Sequence, residues 1–291
     1  EGAGAVAAAE ELRAGLAAAA AVDRAGVRLW WEQLAAARRL DDELGASGAA
    51  ELVRAQVEQL DTTLTHTVPP PARAAVAAVL SAAAALAGAQ ELDRARPDLA
   101  WRRYDRARTA AEEARVPAAQ AVALAGQAAV LVDVGEPAAA IALLHGFDTE
   151  MPHAAQARLA AASGLASAAA GDGDGARHGI AGAERALRRT VVDVAAPPQE
   201  PAVELADLHR WHGRTLVTLG DAAAVHPLRQ ALTAGPRSAR HRAAVHADLA
   251  IALAADRPDE AAEHARRARE LAAGIGSHRI PARLSALGRP R

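Results

Sequence analysis

The chain contains no cysteine, no lysine and no asparagine, and only one Met, one Tyr and one Phe among its 291 residues. Each absence removes a class of chemistry. Without Cys there is no disulfide, thiolate zinc site, iron–sulfur cluster or cysteine nucleophile. Without Lys there is neither a phosphate-loop lysine nor a Schiff-base lysine. Aromatics make up 2% and β-branched residues rarely cluster, so little is available to build strands. Every basic side chain apart from His is Arg. The 33 Arg face 35 Asp and Glu for a formal net charge of −2, so no basic surplus points to nucleic acid.

What remains is Ala above all, with Leu, Arg and Glu, the strong helix formers. An all-α fold follows. The uncharged run over residues 74–89 is mostly Ala and too short for a membrane span of about 20 strongly apolar residues. Glu10, Glu11 and Arg13 interrupt the first apolar stretch, so no signal peptide is read there. A cytoplasmic protein is expected. The chain opens at Glu1 rather than Met, so a further segment upstream is expected too.

Helical periods punctuated by Pro and Gly run from end to end. They predict helices near 5–21, 27–44, 48–65, 72–92, 98–114, 118–134, 137–146, 153–170, 175–190, 202–219, 223–233, 238–255, 259–274 and 278–287. A small residue recurs in the middle of alternate helices, at Gly88, Ala128, Gly164, Gly213 and Ala250. Eleven or twelve residues later come Ala100, Ala140, Ala176, Val225 and Ala261, and seven further on come Ala107, Phe147, Ala183, Leu232 and Ala268. Small residues at fixed phase let two antiparallel helices approach to about 8 Å. Tyr104, four residues after Ala100, is placed as an aromatic plug between helices. Hairpins that cannot bury their own apolar faces stack on their neighbours.

This arrangement resembles the tetratricopeptide repeat, without its usual Trp-Leu-Gly-Tyr signature. The resemblance implies a right-handed superhelix of antiparallel hairpins, an α-solenoid with a C-terminal capping helix. Residues 71–291 would supply about five hairpins and the cap. Residues 1–70 would form an N-terminal segment, with 27–64 either an opening hairpin or an arm for homodimerisation. The stretch AAVHADLAIALAADRPDEAAEHARRARELAAGIGSHRIPARLSAL (243–287) resembles the closing repeat and cap of actinobacterial regulators of the XRE (phage-repressor-like) helix-turn-helix class, as do ARRLDDELG (37–45), VRAQVEQLDTTL (53–64) and GRTLVTLGDAAAVHPLRQAL (213–232). The function this implies is sensing of a peptide or small-molecule effector in a concave groove. No helix-turn-helix signature occurs in residues 1–70, so DNA would be met only through a domain outside this chain. A freestanding scaffold that binds a partner protein is the alternative.

In such hairpins the first helices line the concave face. Positions three before, one after and four after each small mid-helix residue are expected to point inward. They give Ala85, Ala89, Leu92, Ala125, Ala129, Val132, Ala161, Leu165, Ala168, Arg210, Arg214, Val217 and Ile251, with Asp133, Arg158 and Asp207 nearby. An apolar surface with an Arg cluster suits an apolar ligand or peptide carrying a carboxylate. The simpler reading is that Arg210 and Arg214 pair with Asp207 and solvate that face. The four Trp are expected in the core or at helix interfaces, with Trp211 best placed to reach a ligand. His209 with His212, and His241 with His246, lack carboxylates at ligand spacing, so no metal is expected. GDGDGARHG (171–179) reads as an inter-helix turn with an Asp cap, since Ala176, Arg177 and His178 supply no calcium ligands. Arg266, Arg267 and Arg269, near Glu263 and Glu270, read as a solvated helix face. No catalytic constellation and no cofactor motif is present, so no enzyme activity is expected.

Overall fold

The computed structural model describes residues 2–66, 69–145, 151–190 and 203–285. Within them lie α1 (Gly2–Ala20), α2 (Arg24–Leu44), α3 (Ala46–Thr65), α4 (Pro70–Asp93), α5 (Pro97–Ala114), α6 (Pro117–Asp133), α7 (Pro137–Leu144), α8 (His153–Ala169), α9 (Gly173–Thr190), α10 (Leu205–Leu219), α11 (Val225–Ala234), α12 (Ala239–Leu253), α13 (Pro258–Ile275) and α14 (Arg279–Ser285). A 3-10 turn, Ala222–Ala224, leads into α11. The described residues are thus all-α, and consecutive helices pack as antiparallel pairs. Proline sets many of the starts. Pro70, Pro97, Pro117, Pro137 and Pro258 each occupy the first turn of a helix, where a missing amide breaks no helical hydrogen bond. The expected linker over 191–199 and Phe147 lie outside the described residues.

The pairs close where the sequence places small residues. In α8 and α9 the backbones of Gly164 and Gly179 meet, and a Cβ on Gly164 would sit 3.1 Å from the Ala176 carbonyl oxygen. Tyr104 is wedged between Gly88 of α4 and Gly126 of α6, where a Cβ on either glycine would meet its ring. The fourth pair corrects the expected register by one residue. Ala224 and Ala231 are fully buried there, whereas Val225 and Leu232 are only partly buried, because the 3-10 turn shortens the connection. The GDGDGARHG segment is a turn: Gly171 takes φ +80°, and Asp172 accepts the Gly175 amide at 2.9 Å.

The core is alanine, leucine and valine rather than tryptophan. Leu34, Leu60, Leu80, Leu124, Leu228 and Leu249 are among the largest fully buried side chains. Trp30, Trp31 and Trp211 are only partly buried, and Trp101 is 36% exposed. The expectation of tryptophan core duty therefore holds only in part. With alanine at the crossings the helices come too close to house an indole between them. The α4 helix is long and apolar enough by composition to cross a membrane, but more than half of that stretch is packed inside the fold. No break in the core falls at residue 70: α2 and α3 share one apolar cluster with α4, α5 and α6.

The array also closes on itself. The backbone amide of His278 donates to the Asp93 carbonyl at 2.8 Å, and Ser47 Oγ donates to the Gly274 carbonyl at 3.2 Å. Ile275 lies against Gly45, the left-handed residue that joins α2 to α3. These ties bring α12, α13 and α14 onto α2, α3 and α4 and turn the inner face of the array into a cavity.

Candidate functional site

The cavity has a volume of about 440 Å³ and is partly open to solvent. The even-numbered helices from α2 to α14 supply most of its wall. Its apolar floor comes from α4, α6 and α8, including Ala85, Ala89, Leu92, Ala125, Ala129, Val132, Ala161 and Leu165. Alanine at most of these inward positions keeps the floor recessed, with Leu92, Val132 and Leu165 the larger side chains on it.

The opposite side is guanidinium. Arg38 from α2, Arg158 from α8, Arg210 and Arg214 from α10, Arg240 from α12 and Arg279 and Arg283 from α14 all line the space. Carboxylates back this wall. Arg210 donates to Asp207 at 3.1 Å, Arg214 to Asp248 at 3.0 Å and Arg279 to Asp133 at 2.8 Å. Arg283 also donates to Asp248. Arg240 reaches Asp41 at 3.0 Å and also holds Asp93. Gln90 adds a bond to Asp41 at 2.8 Å. The Arg158 and Arg210 guanidiniums each lie 5.7 Å from the Trp211 ring centroid, within cation–π range.

Burial sets the protonation of this wall. It pushes the Asp248 carboxyl up to about 6, against the pull of the Arg214, Arg210 and Arg279 charges. Around Arg240 burial opposes the charge, but the Asp93 and Asp41 carboxylates outweigh it and hold the guanidinium above its ordinary value. His241 is driven well below its ordinary value by burial and then by Arg210. Burial raises the Tyr104 phenol to about 12, so it stays neutral. Four buried polar atoms of lining residues have no hydrogen-bond partner: Ser81 Oγ, Arg210 Nε, Arg283 Nε and Arg279 Nε, the last still ion-paired with Asp133. Buried donors are seldom left unpaired, because each costs about 1–3 kcal/mol.

The residues expected to face inward divide at the later helices. Leu165, Arg158, Arg210, Trp211 and Arg214 line the cavity, together with the inward positions of α4 and α6. Asp207 and Asp133 stand behind it as partners of Arg210 and Arg279. Val217 and Ile251 do not line it. They pack into the apolar cluster of Leu216, Ala224, Leu228 and Leu249, between α10, α11 and α12. Ala168 is likewise buried outside the lining. The cavity meets α4 from Ala78 to Asp93 and α6 along most of its length, but α10 only from Arg210 to Arg214 and α12 only from Arg240 to Asp248, so a fixed offset that reaches Val217 and Ile251 slides out of it. The simpler pairing is half right: Arg210 does bind Asp207, but Arg214 binds Asp248 instead.

Sequence reasoning missed Arg38, Arg240, Arg279, Arg283, Asp41, Asp93 and Asp248. A signal existed for Asp248, which interrupts the apolar run AVHADLAIAL (244–253), since a carboxylate on a buried helix face needs a cationic partner. Among the described residues no three His, Asp or Glu converge as a metal site. No family model matches the chain, and no similar curated protein or solved structure was found.

Proposed function

We propose that this chain is a ligand-sensing helical-repeat domain whose ligand is a small molecule with an apolar body and a carboxylate. The observation that carries the reading is the cavity itself, an alanine-lined floor facing guanidiniums of which Arg210 and Arg283 keep a buried Nε unpaired. Its volume falls in the range of small-molecule sites, about 300–1,000 Å³. Arg forks bind carboxylates in bidentate fashion, and desolvated walls strengthen that contact. The closed array leaves a chamber instead of a long open groove, which favours a small effector over an extended peptide. The repeat spacing and the C-terminal resemblance support a right-handed TPR-like solenoid, and with it the sensing half of an actinobacterial helix-turn-helix regulator that meets DNA through a separate domain.

A thermal-shift series with octanoate, phenylacetate and the neutral alcohols of the same shape tests the reading. At 100 times its dissociation constant a ligand adds about 2.7 kcal/mol, or roughly 5–10 °C for a chain of this size. The acids should raise the melting temperature, the alcohols should not, and Arg158→Ala and Arg210→Ala should abolish the shift. Arg214 is a poor probe, because its removal also strips a partner from buried Asp248. Loss of the shift in a surface control such as Arg266→Ala, which is paired only with Glu263 and Glu270, would count against the cavity. The scaffold reading draws on exposed Leu12, Leu16, Leu29 and Leu52 of α1, α2 and α3. It gains if no acid shifts the protein while Leu29→Ser and Leu52→Ser release a captured partner.

A further inference from the structure

The floor of the cavity is a trough with two unlike ends. Helix α4 lines it over four turns, from Ala78 to Asp93, and α6 with its N-cap lines it from Val116 to Val132. At about 1.5 Å of rise per residue these stretches run about 22 and 24 Å. Tyr104, wedged between Gly88 of α4 and Gly126 of α6, sets the two side by side. Among the described residues, no charged side chain lines α4 from Ala78 to Leu92 or α6 along its whole stretch. Ser81 is the one polar side chain on these faces, and nothing polar lines them between Ser81 and Asp93.

The charge stands at one end. Arg240 of α12 holds Asp93, the last residue of α4, and Arg279 of α14 holds Asp133, the last residue of α6. Arg214 and Arg283 share the Asp248 carboxylate, and the charge of Arg210 is felt there too. The unpaired Nε atoms of Arg210 and Arg283 belong to this group. The other end is formed by Ala78, Ser81 and Ala82 of α4, with Trp31 of α2 level with them. The bond from Gln90 to Asp41 fixes that register, since Trp31 precedes Asp41 by ten residues and Ser81 precedes Gln90 by nine. Ser81 thus stands about 18 Å along α4 from Asp93. Octanoate, at about 1.2 Å per bond, would fill only about half of that length.

We infer that the cavity takes an unbranched long-chain carboxylic acid of about 12–16 carbons, its carboxylate among the arginines of α10 and α14 and its chain extended along α4 and α6 to Trp31. The inference rests on the reading of the cavity as a site for an apolar acid, and it adds the length and shape of that acid. A methylene chain loses no hydrogen bond on entering a trough whose faces are apolar between their ends. Alanine at positions 78, 82, 85 and 89 keeps the α4 side open along its length, so a larger side chain at one of them stops the chain short at that point.

Isothermal titration calorimetry with octanoate, decanoate, dodecanoate, tetradecanoate and octadecanoate, each below its micelle concentration, reads the length. Affinity should rise about fourfold for each added methylene up to tetradecanoate, and octadecanoate should bind no more tightly. Two variants then place the chain. Ala82→Leu narrows the trough about 16 Å from Asp93 and should weaken tetradecanoate about tenfold more than octanoate. Ala89→Leu acts about 6 Å from Asp93, within reach of both acids, and should weaken them alike. Octanoate and tetradecanoate that bind equally tightly overturn the length and leave the acid site standing. So does an Ala82→Leu protein of unchanged melting temperature that weakens both acids equally or neither. Octadecanoate that continues the fourfold rise overturns the closed far end. Failure of every acid to bind overturns the cavity reading and this inference together.

Discussion

The backbone contact between α8 and α9 makes a demanding test of the fold. A Cβ on Gly179 would stand 2.5 Å from the Cα and the amide nitrogen of Gly164 and 2.7 Å from the Ala160 carbonyl oxygen. All three are backbone atoms, so no side chain can rotate away. Restoring ordinary contact needs α8 and α9 to separate by about 1 Å, and a gap of that size forfeits a quarter to a half of each dispersion contact along the crossing. Overpacking of this kind costs about 1–3 kcal/mol, and the rigid neighbours put this case at the upper end. Ala gains back up to about 1 kcal/mol in helix propensity. Gly179→Ala should therefore lose about 2 kcal/mol, or roughly 4–8 °C in melting temperature. Gly274→Ala is the matched control, because its Cβ enters open space in the last turn of α13 and no packing clash offsets the propensity gain. Differential scanning calorimetry or thermal circular dichroism on the two variants decides the matter. Gly179→Ala melting at or above the parent temperature would refute the backbone contact between α8 and α9.

Two further expectations concern charge. Asp93→Ala leaves buried Arg240 with Asp41 alone and should cost about 3 kcal/mol, the low end for stripping one partner from a buried pair, measured as a fall in urea midpoint. His246, pushed down to about 4 by burial and then by His264, stays neutral in the fold while the unfolded chain takes up its proton near 6.5. Its contribution is thus complete above pH 6.5 and is lost as the pH falls toward 4. At a half-buried ring, screening leaves on the order of 1–2 kcal/mol of this. His246→Gln should flatten the stability curve across that window. Asp248 acts in the opposite sense, its carboxyl pushed up to about 6 so that stability rises as the pH falls from 6 toward 4. The difference between variant and parent, not the whole curve, isolates the histidine.

Helix boundaries were readable because proline and glycine mark them chemically. Five helices begin on a proline that has no amide to lose, and Gly171, Gly220 and Gly276 follow or end helices with positive φ that favours glycine. The pairing was readable for a similar reason. Close crossings admit only Gly or Ala, so the spacing of Gly164, Ala176 and Ala183 carries the geometry of α8 on α9. The register of the α10–α11 pair was not readable, because nothing in DAAAVHPLRQ (221–230) separates a 3-10 turn from the first turn of an α-helix. Local hydrogen bonding chooses between them: Asp221 accepts the Ala223 amide at 2.9 Å and tightens the turn.

The floor of the site was legible, and the facing wall only at Arg158, Arg210, Trp211 and Arg214. That floor lies on α4, α6 and α8, where inward positions repeat with the helical period and a phase rule finds them. The facing wall depends on pairs separated by more than a hundred residues, Arg240 with Asp93 and Arg279 with Asp133, and no period records those. In a chain whose basic residues are all arginine apart from histidine, a cavity guanidinium, one that ties distant helices together and a solvated surface residue such as Arg266 look identical in sequence. What distinguishes them is the partner: Arg266 meets Glu263 and Glu270 on its own helix, whereas Arg240 meets aspartates on two other helices. The aspartates are the better guide. A buried Asp is costly unless it is paired, so Asp41, Asp93 and Asp248, all nearly inaccessible, each require a guanidinium brought from elsewhere in the chain. Those requirements are met together only when the last helices return to the first, and the closure that satisfies the aspartates also gathers the arginines around an apolar floor.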